Sequence, residues 1–336
     1  YIFSIFFNIG IYYMDIRRIK VGDEFKFVNK KTKKRVNKRT LNRIKSLRIP
    51  PSYKKIKISN KANDKIQAIG QDELGRKQYI YNKKFVEEQQ EIKFQDLIKF
   101  GQKIKRIRRD YRGIIDSKLP FNNKNKVISL VLYLLDNCKF RIGSEEYRKK
   151  YNTFGATTLN TDHILFKENE AEIKFIGKKS VENTSTIKNE SVIKILEELC
   201  RLNKGKDYLF YYKDNMGVNN ISAGQVTNYL KKYHKNLSPK MFRTWNGNSI
   251  LLKNLISKGI PKDDKEIKRN LREAIKKVAF ELHNTVAVSK KSYCNSEIYT
   301  TYLNDNAKFF EFIDLNRKDN GEKKSTDRIL TLFLIK

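Results

Sequence analysis

The chain has few of the residues that build disulfide frameworks and metal centres. Its 336 residues include three cysteines and three histidines, all of them far apart along the sequence. Cysteines at this spacing predict neither a disulfide framework nor a zinc knuckle, and the scattered histidines offer no metal-ligand spacing. We therefore expect no required metal, and a reducing, intracellular compartment fits the cysteine usage.

Long apolar runs are also missing. The first thirteen residues are apolar, but they are shorter than the about 20 residues that span a bilayer. They carry neither a charged leader nor a small-residue cleavage site. Met14 follows them, and our interpretation is that residues 1–13 are a non-native or disordered extension. We expect no membrane partner.

Negative charge is scarce relative to positive charge. The chain has 72 lysines and arginines against 37 aspartates and glutamates, a net charge of +35. Such an excess predicts a polyanionic partner, because each neutralised phosphate releases condensed counterions. Membranes are the competing polyanion, but the charge is spread along the chain and not concentrated on one amphipathic helix. Nucleic acid is therefore the favoured partner, and a lysine-rich coding bias is the alternative.

The amino-terminal part has short, strand-like segments. Residues 65–81 predict two strands joined by a turn. Tyr79 and Tyr81 alternate, so both rings are expected on one face of the sheet, beside Arg76 and Lys77. Aromatic hydroxyls and cations on one face suit a DNA groove or backbone. A half-buried strand with ordinary tyrosines is the alternative.

After about residue 95 the pattern becomes mainly helical. Residues 157–178 alternate well enough to predict a small sheet, and the polar segment from about 313 predicts a loose tail. Helices are predicted at 94–110, 125–138, 190–203, 223–233, 243–258 and 264–282.

Four short segments carry the candidate chemistry. They read R-I-G-S-E-E-Y at 141–147, F-I-G-K-K at 175–179, K-M-F-R-T-W at 240–245 and L-H-N-T-V-A-V-S-K-K-S-Y at 282–293. Together they offer two arginines, a lysine, an amide and a terminal tyrosine. Cleaving a phosphodiester without metal needs cations around the phosphorane oxygens, an acid for the leaving oxygen and an oxygen nucleophile. Arginine, lysine and tyrosine are common in this chain, which has 18 tyrosines. No single one of these residues therefore identifies the chemistry.

In their order and wording these segments resemble the catalytic domain of type IB DNA topoisomerases, in the compact form of poxviruses, some giant viruses and bacteria. Upstream, A-I-G-x-D-x-x-G-R-K-Q-Y-x-Y at 68–81 is similar to the amino-terminal clamp of that family. The resemblance implies an α+β fold like that of tyrosine recombinases and type IB topoisomerases. We expect a small, mainly β clamp domain at 14–95, a larger, mostly α-helical catalytic domain with a small β-sheet at 96–312, and a polar tail at 313–336.

The resemblance implies a role for each matched residue. Tyr293 would be the nucleophile and Lys178 the general acid, while Arg141, Arg243 and Asn284 would donate to the phosphorane oxygens. Arg243 is expected to point outward from a helix anchored by its apolar neighbours. DNA contacts are implied for Arg76, Lys77, Gln78, Tyr79, Tyr81, Tyr147, Lys179, Lys240 and Asn248.

The last segment differs from the corresponding sequence motif of poxvirus enzymes. Poxvirus enzymes read G-H-T there, and an ungapped alignment puts His283 on the glycine and Asn284 on the histidine. Bacterial relatives read G-N-T, with asparagine in the donor slot, so Asn284 is the primary expectation. An amide N–H can donate to an oxyanion as imidazole does. His283 stays as the alternative, after a small backbone shift.

The resemblance implies an enzyme that relaxes supercoiled duplex DNA through a 3′-phosphotyrosyl intermediate, with no ATP, metal or other cofactor, as a monomer that clamps DNA. Tyrosine recombinases and integrases are an alternative, although they usually read H-x-x-R where this chain has Lys240 and Arg243. A non-catalytic basic DNA-binding protein is the other alternative. A virion or viral factory is the expected location if the source is a virus, and otherwise the cytoplasm or nucleus.

Overall fold

The computed structural model describes residues 14–215, 217–319, 322–323 and 325–335. The prediction for residues 1–13 lies outside them. The chain divides into two compact units between Phe94 and Gln95. Among the described residues, no helix is both long and apolar enough to cross a bilayer.

The first unit is built on a five-stranded antiparallel sheet with strand order β2-β1-β3-β4-β5. The sheet alternates between a buried and a solvated face, as in β3, where Ile56 and Ile58 are buried between exposed lysines. Ile16 from β1, Ile44 from helix α1 and Ala68 from β4 also belong to this core. The elements are β1 (Ile16–Val21), β2 (Glu24–Asn29), α1 (Lys38–Ser46), β3 (Lys54–Ile58), β4 (Ile66–Gln71) and β5 (Lys77–Tyr81).

The predicted hairpin at 65–81 is confirmed as β4 and β5. Its turn is closed by the Asp72 N–H donating to the Arg76 carbonyl at 3.0 Å, with Gly75 at φ 73°. Tyr79 and Tyr81 share one face, as predicted, and their ring centroids lie 6.3 Å apart.

The second unit is mainly helical, with a three-stranded antiparallel sheet of order β6-β7-β8. Helix α2 (Lys83–Ile115) begins before the division at Phe94 and continues into this unit. The other helices are α3 (Lys124–Asp136), α4 (Glu145–Tyr151), α5 (Glu190–Leu202), α6 (Ala223–Leu230), α7 (Lys240–Lys258), α8 (Asp264–Glu281), α9 (Val286–Ser292), α10 (Ser296–Asn304), α11 (Asn306–Leu315) and α12 (Thr326–Ile335). Its strands are β6 (Ile164–Lys167), β7 (Glu170–Gly177), β8 (Val181–Ile187), β9 (Tyr211–Asp214), β10 (Gly217–Asn220), β11 (Lys318–Asp319) and β12 (Glu322–Lys323).

Two central helices determine where the candidate site lies. Helix α3 is apolar on nearly all sides and is buried almost throughout, as expected for a core helix. It packs against α6, α7 and β9, while α7 also packs against α8 and α12. Arg141 follows α3, Arg243 lies on α7, and the last motif follows α8, so this packing brings the motifs towards one another.

Two predictions about secondary structure are wrong. The segment expected as a first strand at 157–159 begins as a short 3₁₀-helix, Ala156–Thr158. The loose polar tail expected at 313–336 contains the helix α12, which buries Ile329, Leu330, Phe333 and Leu334. These four apolar residues have the spacing of one helix face. The polar residues before them obscured that pattern.

Candidate active site

The structure brings the four segments together around Tyr293. Arg141 Nη2 donates to Asn284 Oδ1 at 2.6 Å, across 143 residues of sequence. The Arg243 guanidinium lies 5.3 Å from the centroid of the Tyr293 ring. Lys178 is close enough to Arg141 and Tyr293 for both to affect its pKa. All five residues expected to be catalytic therefore belong to one cluster.

Arg243 lies in the first turn of α7 and is only 2% exposed. Its guanidinium donates to the Lys139 carbonyl, and Nη2 donates to the Leu282 carbonyl at 2.7 Å. The expectation that Arg243 points outward is therefore wrong. Helix α7 is covered on several sides at this level, so its arginine is enclosed together with its apolar neighbours. Burial, followed by the charge of Arg141, lowers the pKa of Arg243 to about 10.

Tyr293 directly follows α9 and is 9% exposed. Its backbone packs closely against α7, because a Cβ at Gly247 would lie 3.2 Å from both Tyr293 Cβ and its carbonyl oxygen. Burial alone would raise the pKa of the Tyr293 phenol, but the cations Arg243, Arg141 and Lys240 hold that pKa below its ordinary value. The site therefore makes the phenolate easier to form than in a free tyrosine.

The cations that act on Tyr293 differ from those that the sequence indicated. In the sequence, Lys290 and Lys291 lie just before Tyr293, and this proximity predicts that they lower the pKa of the phenol. Lys290 instead lies over the ring of Tyr299, 5.4 Å from its centroid. The cations that lower the pKa of Tyr293 come from α7 and from the segment after α3.

Lys178 lies in the three-residue connection Lys178–Ser180 between β7 and β8, at the hairpin tip where the sequence placed it. Partial desolvation of its ammonium group, and then the charge of Arg141, lowers the pKa of Lys178. Lys179 and Lys240 act in the same direction. A lysine with a lowered pKa gives up its proton more readily near neutral pH, as a general acid must.

In the Asn284 side chain the amide oxygen is hydrogen-bonded to a described residue and the amide nitrogen is not. Its Oδ1 accepts from Arg141, whereas its buried Nδ2 has no hydrogen-bond partner among the described residues. Buried amide donors are rarely left unpaired. Asn284 therefore keeps a buried N–H donor that no described residue uses.

His283 lies beside Asn284 in a left-handed backbone conformation, with φ 48°. That region of backbone conformation favours glycine, and the ungapped alignment places His283 at the glycine position of the poxvirus G-H-T motif. Burial, and then the charges of Arg243 and Arg141, lowers the pKa of His283, so its imidazole is held in the neutral form.

The residues expected to contact DNA in the first unit lie on the β4–β5 hairpin. Asp72 holds two of them, since its Oδ2 accepts from Arg76 Nε at 2.7 Å and from Gln78 Nε2 at 2.8 Å. Lys77 is exposed, and Tyr79 and Tyr81 are at least partly exposed. In the second unit Tyr147, Lys179 and Lys240 are exposed.

Asn248 is not placed to contact DNA, so that prediction is wrong. Its side chain is completely buried. Its Nδ2 donates to the Thr244 carbonyl at 2.8 Å, and its Oδ1 accepts from the Asn295 N–H at 2.6 Å. Asn295 is two residues after Tyr293, so Asn248 holds the chain that follows the tyrosine. The spacing from Arg243 could not reveal this, because the partner comes from a distant helix start.

Within the described part of the chain, no group of three or more histidine, cysteine, aspartate or glutamate side chains is arranged to hold a metal ion. The donor groups around Tyr293 are guanidinium, ammonium and amide groups.

Comparison with known proteins gives matches over both units. Residues 82–312 match the family model of the eukaryotic DNA topoisomerase I catalytic core, and residues 24–72 match that of the bacterial DNA topoisomerase IB N-terminal domain. The chain is 32% identical over 302 residues to DNA topoisomerase 1B of Acanthamoeba polyphaga mimivirus, covering 88% of this chain and 89% of that protein. It is 26% identical over 238 residues to DNA topoisomerase 1B of vaccinia virus (strain Copenhagen), covering 68% of this chain and 70% of that protein.

Proposed function

The chain belongs to the type IB DNA topoisomerases, and from that premise we propose that it relaxes supercoiled duplex DNA through a 3′-phosphotyrosyl intermediate without ATP or a metal ion. The observation that carries this proposal is the environment of Tyr293, a buried phenol whose pKa is held down by two arginines and a lysine. An oxygen nucleophile in a site rich in fixed cations is what attack on a phosphodiester needs.

In the proposed cleavage step, the Tyr293 oxygen attacks the phosphorus and the bond from phosphorus to the 5′ oxygen breaks. Lys178 gives a proton to the departing oxygen, which leaves as a 5′ hydroxyl. One phosphodiester replaces another, so resealing by the reverse reaction needs no outside energy source. Relaxation takes place between the two steps, while the cut strand rotates.

The phosphorane oxygens would be held by Arg141, Arg243 and Asn284. Arg141 supplies charge and at the same time fixes the Asn284 amide through its 2.6 Å hydrogen bond. The free Asn284 Nδ2 then donates to a phosphorane oxygen. Arg243 Nε is buried without a partner among the described residues, and it is a further donor available to the transition state.

We propose that residues 14–95 form a DNA clamp and residues 96–312 the catalytic domain of a monomer. Charge supports a DNA partner, because the chain carries +35. We expect the hairpin residues Arg76, Lys77, Gln78, Tyr79 and Tyr81, and Tyr147, Lys179 and Lys240 in the second unit, to contact the duplex. Viral relatives support a viral source.

The direct test is relaxation of negatively supercoiled plasmid in EDTA without ATP. We expect full relaxation by the purified protein, and a covalent protein–DNA adduct with a free 5′ hydroxyl after denaturing quench. Binding that weakens with salt but leaves plasmid and strands intact would identify a non-catalytic DNA-binding protein instead. Strand exchange between two DNA sites would identify a recombinase.

His283→Gly and Asn284→Ala test which residue is the donor. We expect Asn284→Ala to slow single-turnover cleavage on the order of 10²-fold, as for loss of one oxyanion donor. His283→Gly should leave cleavage close to wild type and the free energy of unfolding within about 1 kcal/mol, because relief of the left-handed backbone offsets lost packing. Cleavage kinetics and chemical denaturation measure the two effects. A larger loss for His283→Gly than for Asn284→Ala would move the donor role to His283.

A further inference from the structure

The hairpin that carries Lys178 contains an unusual backbone. Gly177 and Val181 are paired across its base, and the connection between them has Lys179 at φ 64° and Ser180 at φ 57°. Two successive left-handed residues are typical of tight hairpin turns, which usually use asparagine and glycine there. Lysine and serine pay a steric cost in this region, on the order of 1–2 kcal/mol per residue. Such a loop needs support from the structure below it.

Asn183 provides that support from β8. It is only 1% exposed and pairs across the sheet with Phe175. Its Nδ2 donates to the Val181 carbonyl at 2.8 Å, immediately after the left-handed pair. The same nitrogen occupies the space beside Gly177, where an added Cβ would lie 2.5 Å from it. The amide therefore touches both ends of the connection.

The opposite strand links this amide to the site. Phe175 packs edge-to-face on Phe140, with ring centroids 4.8 Å apart, and Phe140 directly precedes Arg141. The Phe154 N–H donates to the Ile176 carbonyl at 2.8 Å, one residue before Gly177. Strand β7 is thus fixed at the base of the hairpin and β8 is paired with it, so we take the connection as the part that Asn183 positions.

We propose that Asn183 is a positioning residue for Lys178, which sets the hairpin tip so that the ammonium group reaches the leaving 5′ oxygen. This inference rests on the function proposed above. Asn183 is buried below the connection, so we expect it to act by holding the base of the connection and not by contact with DNA or the reacting atoms. Gly177 is its counterpart, because only a residue without a side chain leaves room for the amide. No part of the sequence pattern around F-I-G-K-K indicates this role.

A change of leaving group tests the proposal. A duplex oligonucleotide with the mapped cleavage site is prepared with oxygen or with sulfur as the bridging 5′ atom. A thiolate leaves without protonation, so cleavage at sulfur does not need the general acid, whereas cleavage at oxygen does. We expect Asn183→Ala to slow single-turnover cleavage at oxygen by about 10- to 100-fold, within the range of general-acid contributions. Its cleavage at sulfur should stay within about twofold of wild type.

Two further variants separate positioning from folding. Asn183→Leu keeps a branched side chain of similar shape but removes the N–H donor without burying a charge, so it should show the same preference for the sulfur substrate. Gly177→Ala should slow cleavage at oxygen in the wild-type background and much less when combined with Asn183→Ala, because the clash is with the Asn183 amide. Thr184→Ala, at an exposed neighbouring position on β8, is the control and should match wild type.

Each outcome has one meaning. Equal slowing on both substrates would show that Asn183 has a general structural role, and it would overturn the proposal. An unchanged rate of cleavage at oxygen would also overturn the proposal. Absence of any covalent adduct from the wild-type protein on either substrate would overturn the proposed function itself, and the role of Asn183 with it.

Discussion

Tyr293→Phe is expected to abolish covalent capture of DNA and to slow plasmid relaxation by on the order of 10⁴-fold or more, as for loss of a catalytic nucleophile. The substitution removes only the hydroxyl group. The ring stays packed beside Arg243, whose guanidinium lies 5.3 Å from its centroid, so folding should be unaffected. The measurement is denaturing gel analysis of adducts after quenching, together with plasmid relaxation.

Tyr299→Phe is the matched control for this prediction. Tyr299 lies six residues further on, in α10, and Lys290 rather than an active-site arginine covers its ring. We expect wild-type relaxation from this variant. Mapping of the peptide that stays bonded to DNA should identify Tyr293. An adduct formed by the Tyr293→Phe protein would place the nucleophile elsewhere.

The second large expected effect is that of replacing either Arg243 or Arg141, and the two replacements should differ in how much stability is lost. Arg243→Ala should slow cleavage by about 10²- to 10³-fold or more and also lower the free energy of unfolding by about 2–4 kcal/mol. The loss of stability follows because the carbonyls of Lys139 and Leu282 lose their donor in a buried site. Arg141→Ala should slow cleavage by a comparable factor with a smaller loss of stability, since Arg141 is partly exposed and its side chain donates to Asn284.

The pH dependence of cleavage tests the electrostatic effect of Arg243 on Tyr293 separately from the effect of Arg243 on stability. In the proposed cleavage step Tyr293 reacts as the phenolate, so we expect the rate to rise with pH through the pKa of the phenol, which Arg243, Arg141 and Lys240 hold below its ordinary value. Removing Arg243 raises that pKa, and the rising limb of the pH–rate profile should move to higher pH. Arg243→Lys keeps a positive charge but loses the forked set of guanidinium N–H donors. The rising limb of its pH–rate profile should therefore move less than that of the variant without a cation. A limb that does not move in either variant would contradict the electrostatic role of Arg243.

Local sequence patterns predicted much of the secondary structure. The hairpin around Gly75 and the core helix before Arg141 were predicted because turn residues and helical apolar spacing depend only on neighbours in the sequence. The same holds for Lys178, since a glycine followed by lysines after an alternating strand indicates a hairpin tip. Helix α12 was missed because its short apolar face follows a strongly polar segment.

The side-chain environments could not be predicted in this way. Helical position alone suggested that Arg243 faces solvent, whereas packing of α7 against α3, α8 and α12 encloses it. Asn248 lies at a position expected to contact phosphate, yet its partner is the backbone of Asn295. Both errors concern which neighbours cover a helix, and those neighbours come from elsewhere in the chain.

The amino-acid sequence by itself determined the strongly basic character of the protein, the order of its four chemical segments and therefore the set of candidate catalytic residues. Charge and short motifs are properties of composition and of adjacent residues. Only the tertiary structure decided that Arg141 fixes the Asn284 amide, that distant cations control the pKa of Tyr293, and that Asn183 supports the loop of Lys178. These are distances between side chains, and packing sets them once the helices and the small sheet have come together.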